Sequence, residues 1–307
     1  MKRVILLLWI ILTALPTIGS AKVKRLSDVV YGHCDGAALV MDVLIPEHQN
    51  GIAVFRMVSG GWVSFNAAAC DEKDYKVFTD RGMTVFLVSH GSQPRYKVHE
   101  IIGQIQRAIR FVRHHCDDFG VDPQRFCTTG ISSGGHLSIA VGVFGTDAIN
   151  EVQYRKAHEM TSDQAIDPVE LESSRVQAVA CFFPPVDLVD FSGPGETFAD
   201  FPIDSIFVPA FFDIRKTPRE EQLRILEESS PYQHIDSQTP PILVFHGTTD
   251  QLVPFSQAPR LMEKLEEMGI PHKLIVVEGY GHGWPYRKAD DVEMARWFET
   301  YTKKTRR

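Results

Sequence analysis

The chain contains, at residues 128–137, the run Thr128-Thr129-Gly130-Ile131-Ser132-Ser133-Gly134-Gly135-His136-Leu137. This run holds the pattern Gly-x-Ser-x-Gly between a strand-like segment, 125–129, and a helix-like segment, 137–141. A serine on such a sharp turn has its hydroxyl clear of the backbone, and its flanking residues must be small. The following helix also directs free N–H groups and its positive dipole end toward a bound substrate. We therefore predict that Ser132 is a nucleophile; the alternative is an ordinary Gly/Ser-rich turn.

Two later loops supply candidate partners for Ser132. Residues 241–247 form an apolar run typical of a buried strand and lead into Asp250, and residues 273–277 lead into His282, which has glycines on both sides. A serine hydroxyl needs a histidine to accept its proton, and an aspartate keeps that histidine in the correct tautomer. Ser…Asp…His is a known chain order for such triads. We predict a triad, although singly Asp250 is typical of a turn and His282 of a polar loop.

A glycine-rich loop after another predicted strand is a candidate oxyanion hole. Residues 52–58 have a strand pattern, and Ser59-Gly60-Gly61-Trp62 follows them. Consecutive glycines allow the backbone to approach a ligand closely and to direct N–H groups at it. We predict that the backbone N–H groups of Gly60, Gly61 and Ser133 hold the oxyanion; the alternative for the loop is an ordinary glycine turn.

Four further residues are candidate substrate contacts. Trp62 and Trp284 flank the oxyanion loop and the base, where each indole provides a wall for a sugar ring or an aromatic acid. Phe183 ends the predicted strand 178–183 beside the nucleophile. His136, in the first turn after Ser132, either lines the pocket or packs within the helix. Between residues 188 and 235 a cap is expected, with apolar lining from Phe198, Phe201, Phe207, Phe211 and Phe212.

The first residues have the pattern of a secretory signal peptide. Lys2 and Arg3 precede the apolar run 4–15, and small residues at 19–21 allow cleavage near Ala21. The run is too short and wrongly flanked for a spanning helix, although an uncleaved anchor is the alternative. We therefore expect a signal peptide at 1–21, one domain at 22–307, and a secreted or periplasmic protein without a membrane segment after cleavage.

Composition limits the partners of the mature chain. Removal of Lys2 and Arg3 with the signal leaves 30 basic against 39 acidic residues, a net charge of about −9. Such an acidic chain has no electrostatic basis for binding nucleic acid or anionic lipid. The five cysteines show no metal-ligand spacing, and the run 114–116 is typical of a polar helix end. We predict no cofactor and no metal; most thiols are expected free, one disulfide stays possible, and the oligomeric state is open.

From about Asp28 onward the chain resembles α/β-hydrolase-fold esterases of the acetyl esterase and hormone-sensitive-lipase-like group, including the bacterial feruloyl/acetyl xylan esterase type. That group has H-G-G-G-W, G-x-S-A-G-G-H, H-G-x-x-D and G-x-x-H-G, and this chain departs from it at Val58 and Ser59. The matching stretches are Val58-Ser59-Gly60-Gly61-Trp62, Gly130-Ile131-Ser132-Ser133-Gly134-Gly135-His136, His246-Gly247-Thr248-Thr249-Asp250 and Gly279-Tyr280-Gly281-His282-Gly283. The resemblance implies a mostly parallel eight-stranded sheet with helices on both faces and a small cap.

These observations together predict a secreted serine hydrolase of carboxylic esters. The substrate is expected to be a small-molecule or carbohydrate ester, with a short acyl chain or an acetylated or feruloylated sugar. A peptidase of the prolyl-oligopeptidase type shares the same catalytic body, but no β-rich N-terminal domain is recognisable here. The second alternative is a non-catalytic binding protein on the same scaffold. A missing triad residue would have indicated such a protein, and none of the three is missing.

Overall fold

The computed structural model describes residues 22–200, 206–285 and 287–303. The predicted signal peptide, 1–21, lies outside this part of the chain. Within it the strands are β1 (Val23–Cys34), β2 (Ala37–Pro46), β3 (Ala53–Met57), β4 (Ser59–Gly60), β5 (Val63–Ser64), β6 (Thr84–Val88), β7 (Phe126–Ile131), β8 (Ala178–Phe182), β9 (Ile242–Gly247) and β10 (His272–Val277).

Eight of these strands form one sheet in the order β1-β2-β6-β3-β7-β8-β9-β10. The β1–β2 and β2–β6 pairs are antiparallel, and every later pair in the sheet is parallel. β4 and β5 form a separate two-stranded hairpin. The central strands are short apolar runs whose residues are buried on both faces, as expected for parallel strands that helices cover. The predicted mostly parallel eight-stranded sheet is confirmed.

Helices cover both faces of the sheet. Alternate residues of β3 show this, because Phe55 belongs to one buried cluster and Val54 to the other. The first cluster includes α2 and α4, and the second includes α1 and α8. The helices are α1 (Lys76–Thr79), α2 (Val98–His114), α3 (Cys116–Phe119), α4 (Ser133–Val143), α5 (Glu151–Ala157), α6 (Arg219–Glu228), α7 (Gln257–Glu267) and α8 (Lys288–Tyr301).

The sequence pattern predicts the longest helix closely. The apolar spacing within 99–115 predicts an amphipathic helix, and α2 occupies Val98–His114. Its buried side chains lie on one face and pack on the sheet, while the opposite face is polar. The buried set is Val98, Ile101, Ile102, Gln104, Ile105, Ala108, Ile109, Val112 and Arg113.

The chain between β8 and β9 carries short helical segments over the carboxyl edge of the sheet. Its described elements include the 3-10 turns Phe198–Asp200, Val208–Ala210 and Pro231–His234 and the longer α6. In the described residues no helix has the length and apolar character needed to cross a bilayer. All five cysteines have free thiols.

Candidate active site

Ser132 lies between β7 and α4 in a backbone conformation that few side chains adopt. Its φ is 56° and its ψ is −121°, and such conformations typically cost about 1–3 kcal/mol. A Cβ placed on Gly130 would lie 2.1 Å from the carbonyl oxygen of Gly134, and one on Gly135 would lie 3.0 Å from that of Phe182. The turn therefore requires glycine at 130 for steric reasons. This is the sharp strand-to-helix turn that the sequence predicts.

The three predicted triad residues meet at the carboxyl edge of the sheet. His282 Nε2 lies 2.9 Å from Ser132 Oγ, and His282 Nδ1 lies 2.8 Å from Asp250 Oδ2. An ionised carboxylate only accepts hydrogen bonds, so Nδ1 carries the proton and Nε2 accepts from the serine hydroxyl. The structure thus brings together residues from the loops after β7, β9 and β10. Such an arrangement can supply a nucleophile, a base and an acid that orients the base.

The Asp250 carboxylate is completely buried and uses both oxygens. Oδ1 accepts from the backbone N–H groups of Leu252 at 2.9 Å and Val253 at 3.0 Å. Oδ2 accepts from His282, and His246 Nε2 lies 3.4 Å from it. Burial alone would raise the pKa of Asp250, but the hydrogen bonds from His246, His282 and Val253 outweigh it and lower the pKa. Asp250 is therefore ionised at neutral pH.

The predicted oxyanion loop is a tight hairpin. Gly61 and Trp62 connect β4 to β5, with φ values of 56° and 58°. Positive φ at both central residues is characteristic of a type I′ turn. Gly60 lines a large cavity, while Gly61 and Ser133 line a small one, and Ser132 lines both. The three residues predicted to donate therefore line the two cavities that meet at Ser132.

Serine side chains brace this hairpin. Val58, where the resembling esterases have histidine, is buried and offers no polar side chain. Its carbonyl oxygen instead accepts a hydrogen bond from Ser64 Oγ at 2.7 Å. Ser59 Oγ lies 3.1 Å from Ser133 Oγ, which ties the hairpin to the first turn of α4.

Trp62 and His136 connect the hairpin to the cap through two buried hydrogen bonds. Trp62 is 2% exposed, and its Nε1–H donates to His136 Nδ1 at 3.2 Å. His136 Nε2–H donates in turn to the carbonyl oxygen of Ser229, at the end of α6, at 2.9 Å. Burial lowers the pKa of His136 to about 4, with partial opposition from the bond to Ser229.

Of the two alternatives for His136, the structure agrees with packing and not with a place among the substrate contacts. Its ring is 0% exposed, has partners on both nitrogens and lines neither cavity. Trp62, predicted as a wall for a sugar ring or an aromatic acid, is 2% exposed and lines only the small cavity.

A cavity of about 650 Å³ extends from Ser132 on the side of His282. Phe183 and Trp284, both predicted substrate contacts, form part of its wall. The Phe183 ring centroid is 4.4 Å from that of His282 and 5.4 Å from that of Trp284. The cavity is lined by Arg56, Ser59, Gly60, Asp74, Tyr75, Phe78, Thr129, Ile131, Ser132, Phe182, Phe183, His282, Gly283, Trp284, Arg287, Asp290, Asp291 and Met294.

A second cavity of about 70 Å³ lies on the opposite side of Ser132. The predicted cap phenylalanines have separate places: Phe198 and Phe207 line this cavity, and Phe211 and Phe212 are buried in the core. Phe201 lies outside the described residues. The lining is Gly61, Trp62, Ser132, Ser133, Pro185, Phe198, Phe207, Leu252 and Val253.

Comparison with known proteins identifies the family. Residues 41–265, well over half of the chain, match the family model described as BD-FAE. This chain belongs to the BD-FAE family.

One relative by sequence is Esterase LipC of Mycobacterium tuberculosis (strain ATCC 25618 / H37Rv). It is 26% identical to this BD-FAE chain over 262 residues, which are 83% of this chain and 59% of LipC. The chain therefore spans less than two thirds of the length of this relative.

Solved structures share the fold of this BD-FAE chain. A truncated carbohydrate esterase from gut microbiota has a TM-score of 0.73 at 24% identity, with 94% of this chain and 99% of that chain covered. An acetyl ester-xyloside bifunctional hydrolase from Caldicellulosiruptor lactoaceticus has a TM-score of 0.69 at 20% identity, with 89% and 96% covered. These likenesses confirm the predicted α/β-hydrolase fold.

Arg56 lines the large cavity, but it is not among the site residues predicted from the sequence. It lies in β3, where the other four residues are apolar and buried. A single arginine in such a strand is the signal that would have identified it, because charged residues are seldom buried without a role.

The histidine-rich end of α2 in this BD-FAE chain is polar surface. His115 Nδ1 bonds to the carbonyl oxygen of Phe111 at 2.8 Å, and His114 Nδ1 lies 3.2 Å from Glu172 Oε1. Across 22–200, 206–285 and 287–303, no group of three or more His, Cys, Asp and Glu residues is arranged to hold a metal ion.

Proposed function

We propose that this chain is a serine hydrolase of carboxylic esters that works through an acyl-enzyme. The observation that supports this most strongly is the continuous hydrogen-bonded chain from Asp250 through His282 to Ser132, placed where the two cavities meet. The names of the relatives, an esterase and a carbohydrate esterase, point in the same direction.

Each triad residue has a defined step in the proposed reaction. Ser132 Oγ attacks the ester carbonyl carbon while its proton passes to His282 Nε2. Ionised Asp250 stabilises the imidazolium that forms. His282 then donates this proton to the departing alcohol oxygen and leaves an acyl group on Ser132. A water molecule, deprotonated by His282, releases the acid and restores the serine.

The negative charge on the carbonyl oxygen is stabilised by backbone donors. We assign these as the N–H groups of Gly60, Gly61 and Ser133, the last at the positive end of the α4 dipole. Removal of one such donor typically costs about 10²–10³ in kcat. The type I′ turn supports the assignment, because it fixes the peptide planes of the hairpin before substrate arrives.

The two cavities separate the two halves of the ester. The departing alcohol oxygen takes its proton from His282, and His282 lines the large cavity but not the small one. The alcohol half therefore occupies the 650 Å³ cavity, beside Phe183 and Trp284, and the acyl half occupies the 70 Å³ cavity. A space this small suits an acetyl group and excludes a feruloyl group, because a clash with a packed wall is unfavourable. We propose short-chain esters of bulky alcohols such as carbohydrates.

Export is part of the same proposal. Residues 1–21 act as a signal peptide that is cleaved near Ala21, and the mature chain 22–307 with its cap at about 188–235 acts outside the cytoplasm. Mass spectrometry of the N-terminus after expression in a secreting host tests this. A mature protein that begins at Met1 would contradict it.

The activity is tested with esters of a fixed alcohol and with an active-site probe. We expect the parent protein to hydrolyse p-nitrophenyl acetate and acetylated xylo-oligosaccharides, and to react with a fluorophosphonate. Ser132→Ala should lose several orders of magnitude in kcat, lose the labelling and keep its melting temperature, because only the covalent step disappears. Labelling that persists in Ser132→Ala would place the nucleophile elsewhere.

The same assay distinguishes the two alternatives. Cleavage of an aminoacyl-proline anilide at a rate comparable to the ester would indicate a peptidase. A folded protein that cleaves neither compound and takes up no fluorophosphonate would indicate a binding protein on a hydrolase scaffold.

A further inference from the structure

The large cavity contains a cation that lacks a counter-ion. The Arg56 side chain lies in the row of β3 that faces α1 and α8, where its neighbours Val54 and Val58 are buried and apolar. Among the described residues, no carboxylate oxygen forms an ion pair with its guanidinium within 4.0 Å. A partly buried charge without a partner is unfavourable, so the site is complementary to an anion.

Arg56 is held close to the nucleophile. Its Nη1 donates to the carbonyl oxygen of Met57 at 2.9 Å, and lies 3.6 Å from the position that a Cβ on Gly134 would take. Gly134 is in the first turn of α4, two residues after Ser132, so the positive end of the helix dipole adds to the charge of the guanidinium. The Arg56 side chain also hydrogen-bonds the Tyr75 hydroxyl. A guanidinium has five N–H donors, so these two bonds leave donors available to a ligand.

The other charged residues of the cavity are engaged or exposed. Asp290 accepts from Trp284 Nε1 at 2.9 Å and pairs with Arg287 at 3.0 Å. Asp291 also has a partner. Asp74 is exposed at the mouth of the cavity, where solvent screens its charge. The unpaired positive charge at the inner end therefore determines what the cavity prefers near Ser132.

We propose that the large cavity selects esters whose alcohol half carries an oxyanion, a carboxylate or a sulfate, which the Arg56 guanidinium binds. This inference rests on the proposed ester hydrolysis and on the assignment of the alcohol half to this cavity. The planar guanidinium suits the class because two parallel N–H groups match two oxygens of a carboxylate or sulfate. The substrate class is therefore a short-chain acyl ester of an acidic sugar unit.

Binding of three sugars that contain no ester provides the direct test. Methyl glucuronoside, methyl glucoside and methyl glucoside 6-sulfate differ at one carbon, and calorimetry on the full chain measures each dissociation constant. We expect an anionic sugar to bind at least about ten-fold more tightly than the glucoside, as for a charged hydrogen-bonded contact. The preference should decrease as ionic strength rises. The tighter of the two anionic sugars identifies the oxyanion.

Variants assign the preference to one residue. Arg56→Gln should remove most of the anion preference, and Arg56→Lys should keep part of it, because a lysine retains the charge without the planar fork. Arg287→Gln is the matched control: this arginine lines the same cavity but is already paired with Asp290. Its effect on the ratio of dissociation constants should be less than about two-fold, as for a contact that the ligand does not use. If Arg56→Gln fails to fold, Arg56→Lys and the salt dependence of the parent protein carry the test.

The outcomes separate this inference from the proposed function. Equal binding of the three sugars, no binding of any, or an anion preference that persists in Arg56→Gln would overturn the anion site. Hydrolysis of acetylated methyl glucoside and acetylated methyl glucuronoside at equal kcat/KM would overturn it while leaving the esterase intact. Tight binding of the anionic sugar without hydrolysis of any ester would contradict the proposed function and support the anion site.

Discussion

Asp250 and Asp187 are both buried, but their carboxylates have different hydrogen-bond partners. Asp250 accepts from His282, whereas Asp187 Oδ2 pairs with Arg260 at 2.8 Å, and its Oδ1 accepts from backbone N–H groups. Both side chains are almost fully buried, so they make a matched pair. Only Asp250 is in a position to orient the base.

Asp250→Asn should lower kcat by about 10⁴-fold, because an amide favours the wrong imidazole tautomer of His282, as in the corresponding change in serine proteases. Its fold should remain, since the side-chain volume is almost unchanged. Steady-state kinetics with p-nitrophenyl acetate and a thermal melt measure the two effects.

Asp187→Asn is the control, with the reverse pattern. It should reduce the melting temperature, because Arg260 loses its buried partner, and should leave kcat close to that of the parent. Parental kcat in Asp250→Asn together with loss of kcat in Asp187→Asn would exchange the roles of the two carboxylates.

At the scale of elements, Phe207 is the cap residue that lies against the turn of the predicted oxyanion hairpin, while Phe198 and Phe211 contact Trp62. A Cβ placed on Gly61 would lie 2.5 Å from Phe207 Cε1, so the Phe207 ring lies directly against the turn. The same ring closes one side of the 70 Å³ cavity. If the acyl half binds in this cavity as proposed, Phe207 limits the length of the acyl chain.

Phe207→Ala should extend the acyl cavity and shift the preference toward longer acyl groups. The ratio of kcat/KM for butyryl over acetyl p-nitrophenyl esters should rise by about ten-fold or more, since a fitting methylene adds roughly 1–3 kcal/mol. Phe65→Ala is the control, because Phe65 is exposed and lines neither cavity. An unchanged ratio in Phe207→Ala would mean that the acyl group binds elsewhere.

The strands, and the meeting of Ser132, Asp250 and His282 at one edge of the sheet, were predictable from sequence because both depend on local patterns. Residues 241–247 predict a buried strand, and β9 occupies Ile242–Gly247. The carboxyl ends of parallel strands meet at one edge, so a loop position after each strand was sufficient to place Asp250 and His282 together.

The cavities could not be predicted in the same way. Their walls depend on which side chains are buried, as Trp62 is, and on where the cap crosses the site, as at Phe207. The two alternatives for His136 stayed open for this reason: adjacency to Ser132 in sequence does not show whether the ring faces the cavity or is buried between Trp62 and Ser229. Arg56 is recognisable in the sequence as a charged residue in an apolar strand, but no sequence pattern indicates what its guanidinium would contact.

At the scale of the whole molecule, two histidines are buried in neutral form. Burial lowers the pKa of His136 and of His90 to about 4, with opposition from hydrogen bonds to backbone carbonyls in both cases. In the unfolded chain a histidine has a pKa of about 6.5. Between these values the unfolded state binds protons that the folded state does not.

The free energy of unfolding should therefore decrease as pH falls from about 6.5 to about 4. Its slope against pH should correspond to the uptake of up to about two protons on unfolding, one for each histidine. Above pH 6.5 both states leave them neutral, and below pH 4 both states protonate them, so their contribution is constant there. Denaturant unfolding at a series of pH values measures the slope. His136→Gln should reduce it by about one proton, and an identical slope in parent and variant would show that His136 titrates normally.

Because the turn at Ser132 needs small residues to fold, the Gly-x-Ser-x-Gly pattern alone does not show that a protein is catalytically active. Gly130 is required because a Cβ would meet the Gly134 carbonyl oxygen, and that collision is independent of whether the hydroxyl reacts. A descendant that had lost His282, and with it catalysis, would still need the same glycine in order to fold. Selection for folding alone would then preserve the small residues around position 132 in an inactive enzyme. Genome surveys that search for Gly-x-Ser-x-Gly without positions equivalent to 250 and 282 will therefore count inactive paralogues as hydrolases.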